Sequence, residues 1–161
     1  MTRSLQKNIR CALVGLLLAT GLSSALATPP AGSIVVTERK LNPYLGSFQQ
    51  DLKTEAKKVL TKQGERDNWK VYFVAYLKKA AGDSKINVVF YDASEKVKPG
   101  QERDPVHFAE IGTKPDAKVL MSEVELRLDQ GFIDGGKYQV LITRLINGKE
   151  EVYARTQLEL K

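Results

Sequence analysis

Gly135-Gly136-Lys137-Tyr138-Gln139-Val140-Leu141-Ile142-Thr143-Arg144-Leu145-Ile146-Asn147-Gly148-Lys149-Glu150-Glu151-Val152-Tyr153-Ala154-Arg155-Thr156-Gln157-Leu158-Glu159-Leu160 is the stretch that decides the fold. Two alternating runs flank Asn147-Gly148, a dipeptide that favours the positive φ angles of a tight hairpin. A two-residue loop sets Leu141 against Ala154 and Ile142 against Tyr153, which mixes apolar and polar faces. A type I turn over Leu145–Gly148, with Gly148 as a left-handed bulge, sets Ile142 opposite Val152, Val140 opposite Ala154 and Arg144 opposite Glu150. A slip of one residue turns a whole strand over, so the second register is the expected one. Its core face is Tyr138, Val140, Ile142, Val152, Ala154, Leu158 and Leu160. Its outer face on the last strand is Tyr153, Arg155, Gln157 and Glu159.

At the other end of the chain, Arg3, Lys7 and Arg10 precede a short apolar run, Cys11 to Thr20, and Ala25-Leu26-Ala27 closes it with small residues. This is the anatomy of a secretory signal peptide over 1–27. The apolar run is short for a bilayer crossing, so no membrane span is expected after cleavage. Cleavage after Ala27 leaves 134 residues, enough for one domain, and lowers the formal charge from +6 to +3. That balance removes most of the support for a nucleic-acid partner. Cys11 is the only cysteine, so the mature domain has no disulfide and must be held by its core. The expected location is periplasmic or secreted.

Residues 28–32 are Pro-rich and read as a flexible arm. Ser33–Thr37 is a β-branched run and a candidate edge strand. From Asn42-Pro43 onward, Leu45, Phe48, Leu52, Ala56, Val59 and Leu60 recur at three- and four-residue steps, which predicts an amphipathic helix over about 43–63, closed by Gly64. The period then changes to two. Trp69, Val71, Phe73, Ala75 and Leu77 share one strand face, and Tyr72, Val74 and Tyr76 the other. Ile86–Tyr91 is again apolar on both faces, and such strands are covered on both sides. A charged loop, 92–104, holds Pro99-Gly100. A short strand, Pro105–Ile111, and a longer one, Val119–Leu128, complete the set before the hairpin.

Six or seven strands and one helix need two apolar layers. A helix about 10–12 Å across shields two or three strands spaced about 4.8 Å apart, not seven. The expected fold is mainly β: a single domain over 33–161, a two-sheet antiparallel sandwich with the helix laid on one sheet. The alternative is a cystatin-like sheet wrapped on the helix.

Asp134-Gly135-Gly136-Lys137-Tyr138-Gln139-Val140 resembles the tyrosine corner of immunoglobulin-like sandwiches, Asp-x-Gly-x-Tyr-x-Cys. The resemblance implies that Tyr138 opens the next-to-last strand and that its hydroxyl bonds to backbone upstream. Val140 stands where that family has cysteine, so no inter-sheet disulfide is implied. Trp69 lies on the first long strand rather than the third.

Reactive groups are scarce. His107 is the only histidine, and no serine sits in a nucleophile-elbow context. A zinc site needs three or four ligands, mostly histidine or cysteine, which this chain lacks. Glu123 and Glu125 alternate with inward apolar residues, as a solvated face does. Asp129 and Asp134 flank Gly131-Phe132-Ile133 without the spacing of a calcium loop. No catalytic residue, metal or cofactor is therefore assigned. The expected function is a non-catalytic binding or structural module of the bacterial envelope with an envelope or extracellular protein as partner. Its candidate surface is Phe132, Ile133, Tyr153 and Arg155, beside edges at Ser33–Thr37 and the last strand. A carrier of a small apolar ligand near Phe48, Tyr72 and Tyr76, and a hydrolase, are the alternatives.

Overall fold

The structure is a computed structural model that describes residues 28–63, 68–95 and 103–161. The signal-peptide reading of 1–27, the helix stop at Gly64 and the Pro99-Gly100 turn lie outside the described residues. The elements are β1 (Ser33–Thr37), α1 (Phe48–Thr54), β2 (Val59–Leu60), β3 (Trp69–Tyr76), β4 (Lys85–Asp92), β5 (His107–Gly112), β6 (Val119–Leu126), β7 (Lys137–Ile146) and β8 (Lys149–Leu160). A 3-10 turn, Leu128–Gln130, follows β6.

All strands belong to one hydrogen-bonded sheet, in the order β5-β4-β7-β8-β1-β3-β6, with β2 added beside β8. The sheet curls almost into a barrel. This replaces the two separately bonded sheets expected from the sequence. The second apolar layer demanded by the inward residues is the sheet's own opposite wall. Trp69, Val71, Phe73 and Ala75 of β3 meet Ile86, Val88 and Phe90 of β4, Val140 and Ile142 of β7, and Leu158 and Leu160 of β8 in one core. The Trp69 indole N–H donates to the Lys161 carbonyl at 3.0 Å, so the core's largest side chain is also satisfied.

The double-faced strands are covered on both sides, but by local patches. Outside β3, Val74 and Tyr76 lie under Leu41, Phe48 and Leu52. Outside β4, Val89 and Tyr91 pack with Leu141 and Val152.

The helix is far shorter than its apolar spacing predicts. Asn42-Pro43 forms a turn instead, in which the Tyr44 N–H donates to Asn42 Oδ1 at 3.0 Å. Leu52 belongs to the outer patch and Leu60 to the barrel interior. A straight helix cannot serve both sides of a sheet, so the chain leaves the helix after Thr54 and crosses the wall as β2. The helix lies outside the sheet, so the cystatin-like alternative is not formed either.

The hairpin takes the register that apolar patterning argued against. Asn147 and Gly148 have φ of 51° and 74°, the signature of a type I′ two-residue turn. Thr143 then faces Val152, yet Ile142 faces Ala154. Tyr153 is the extra residue of a β-bulge. The bulge reconciles the two faces. Val152 turns outward, while Tyr153 and Ala154 both enter the core. Arg144 does not pair with Glu150; its guanidinium donates to the Ala81 carbonyl at 2.9 Å and to Asp83 at 3.0 Å.

Candidate functional site

The candidate surface separates. Phe132 is fully buried and plugs one end of the barrel, its ring 5.0 Å from Tyr138, 5.4 Å from Phe90 and 5.9 Å from His107. Tyr153 is 2% exposed because the bulge turns it inward. Neither side chain offers a surface. Ile133 is 60% exposed, and its N–H donates to the Tyr138 hydroxyl at 2.9 Å. The upstream backbone bond implied by the tyrosine-corner resemblance is thus present, with the hydroxyl as acceptor. Arg155 is exposed on the outer face of β8. The expected edges are also displaced: β1 and β8 sit mid-sheet, and the edges are β5 and β6.

Groups that might carry chemistry do not converge. His107 packs among rings, and burial, with help from Arg127, holds its imidazole below the usual histidine range. Glu123 lies 3.9 Å from Lys70, and Glu125 accepts from Asn68 at 2.6 Å. Asp129 pairs with Arg127 and Asp134 with Lys62. Among the described residues no three metal-ligating side chains cluster.

What the fold does bring together is a seam. Among the described residues β5 pairs only with β4, and β6 only with β3, so no described ladder joins the two edges where the barrel nearly closes. One end of the seam is sealed where Phe132 meets His107. At the other, the β3–β4 loop bonds to both sides: the Thr113 N–H donates to the Ser84 carbonyl and the Ala81 N–H to the Ala117 carbonyl, both 2.9 Å. Between these ends the strands expose large apolar side chains: Phe108 (62%) on β5, and Val119 (48%) and Met121 (38%) on β6. Edge strands are ordinarily blunted by charge, proline or cover. Here the exposed face of β5 carries Phe108 and then Glu110, and that of β6 carries Val119 and Met121 and then Glu123 and Glu125, so charge covers only part of each edge.

Beside the seam, on the outer face, lies a cleft of about 250 Å³. Its floor is Tyr72 and Val74 of β3 and Met121 of β6, with Thr37 from β1; Lys40 and Leu41 form a wall. Register explains the assembly, since Thr37 faces Tyr72, Tyr72 faces Glu123 and Val74 faces Met121. The rim is charged. The Lys70 ammonium sits 5.4 Å above the centre of the Tyr72 ring. Tyr72 and then Glu123 raise its pKa. The proposed interface of Phe48 with Tyr76 is filled by direct packing, so the open space is here, one step along the same face. Sequence reasoning missed this site because strand order, not local pattern, creates an edge. The visible signal was the apolar outer position Met121 opposite Val74.

Compared with known proteins, the chain matches no family model, no curated protein and no solved structure.

Proposed function

We propose that this chain is a non-catalytic interaction module, exported to the bacterial envelope, that takes an extended segment of a protein partner at the β5–β6 seam. The observation that carries this reading is the pair of edges that pair with no further strand among the described residues, bordered by exposed Phe108, Val119 and Met121. Strand addition uses main-chain hydrogen bonds for affinity and pockets for alternate side chains for selectivity. A strand beside β6 would lie about 4.8 Å from it, with its outward side chains at the Met121 mouth of the cleft. The immunoglobulin-like resemblance enters only through the Tyr138 backbone bond, and the two-sheet layering is not needed.

The cleft also favours a second reading, a binder of a small apolar ligand. Its size decides the ranking. At about 250 Å³ it falls below the roughly 300–1,000 Å³ of most ligand pockets and suits one side chain better than a whole lipid-like molecule.

The test places a photocrosslinking residue at Met121 in the full chain and exposes it to envelope extract. Capture of one partner is expected, lost when Phe108 and Val119 are both changed to Lys. With the purified partner bound, amide exchange should slow in β5 and β6. Capture that survives the double change, or exchange that stays the same on both edges, would overturn the reading.

A further inference from the structure

β8 is paired with β7 along its length, but its other side is shared by two strands. β1 reaches it at one position, Ser33 opposite Arg155, and β2 takes over at Val59 opposite Glu159. The Arg155 N–H donates to the Gly32 carbonyl at 3.0 Å, and the Glu159 N–H to the Lys58 carbonyl at 2.8 Å. Backbone polar groups repeat their direction every second residue of a strand. Gln157, midway, therefore aims its N–H and C=O into the gap between β1 and β2. Among the described residues no strand pairs with it there.

The groove over this notch is lined by Lys58, Gln139, Arg155, Thr156 and Gln157 and holds about 350 Å³. A neighbouring recess shares Lys58 and Gln157 and adds Lys137 and Glu159. The Glu159 carboxylate is engaged by Lys161 at 3.2 Å. The ion pairs among the described residues leave Lys58, Lys137 and Arg155 out. Positive charge without a protein partner thus collects around a backbone donor that the sheet does not use.

We infer that this notch binds a phosphate group. A guanidinium fork, an ammonium and a main-chain N–H border one groove, and a phosphate has enough oxygens to accept from all three at once. Charge-assisted bonds of this kind also satisfy the Gln157 N–H, which water serves otherwise. The site lies on β8, apart from the β5–β6 seam, and stands independently of the strand-addition reading. The phosphate has two sources, a soluble phosphate compound or the headgroup of an anionic lipid.

The experiment is an amide NMR titration of the full chain with inorganic phosphate at constant ionic strength, with a parallel sedimentation arm using phosphatidylglycerol or phosphatidylcholine vesicles. Saturable movement of the Gln157 amide is expected, with affinity falling at least tenfold in Lys58→Gln/Arg155→Gln and unchanged in Lys149→Gln. Spectra that agree elsewhere show that the variants fold. Binding of free phosphate assigns a soluble ligand; sedimentation with phosphatidylglycerol alone assigns the headgroup. If neither arm shows binding, or the double variant binds as well as the parent, the inference is overturned.

Discussion

Replacing Phe132 by alanine separates a structural plug from a surface contact. The ring is fully buried beneath the segment that links β6 to β7, with Tyr138, Phe90 and His107 each within 6 Å of its centre. A phenylalanine that buries about 200 Å² at about 25 cal/mol per Å² contributes about 5 kcal/mol, of which the retained methyl keeps about 1. Lost edge-to-face pairing and the residual cavity act against local relaxation, so a net loss of about 4 kcal/mol is expected. At about 2.1 cal/mol/K per residue, a folded part of about 130 residues has an unfolding entropy of about 0.27 kcal/mol/K, and the Tm falls by about 15 °C. Urea unfolding with a fixed m-value measures the same quantity at 25 °C. Phe132→Leu should lose much less, since it keeps most of the volume. A loss below about 1 kcal/mol for the alanine variant would refute the plug and return Phe132 to the surface.

Tyr138→Phe leaves the Ile133 N–H without its acceptor and should cost about 1–2 kcal/mol in urea unfolding. Burial raises the Tyr138 pKa, so the folded state favours the neutral phenol; stability should fall as pH rises above about 10, less steeply in Tyr138→Phe. Gly148→Ala should cost about 1 kcal/mol for its left-handed backbone alone, because an added Cβ meets nothing within 4 Å; Gly148→Val should cost more, and equal losses would exclude the type I′ turn. His107 has a depressed pKa in the folded state, so its contribution is present above the unfolded value of about 6.5 and is lost as pH falls below it. Urea midpoints from pH 8 to 5 should therefore decline less in His107→Phe than in the parent.

The strands were legible because their side chains alternate. Trp69, Val71, Phe73 and Ala75 all reach the core as the two-residue period requires. Tyr138, Val140, Ile142, Ala154, Leu158 and Leu160 do so as well, whereas Val152 and Tyr153 exchange faces. The exchange comes from a single bulge, and a bulge leaves no periodic trace when both flanking residues are apolar. The helix was overextended because Leu52 and Leu60 keep helical spacing while lying on opposite sides of the sheet. The seam was invisible for a different reason. Which strands are last in the sheet depends on long-range order, and β1 and β8, met first and last along the described chain, are brought to its middle. Arg155 and Ile133 are exposed, but nothing in the local sequence shows that Arg155 lies beside a gap between two partner strands.

The central place of β8 has a bearing on how the polypeptide acquires its shape. β1 can pair with β3 early, but its junction with β8 forms only once residue 155 has arrived, and β2 waits for residue 159. Such distant pairing makes assembly slow relative to helical proteins of similar size. A chain whose last strand is still missing has no completed scaffold. Closure of the barrel therefore comes last, once the final strand is free.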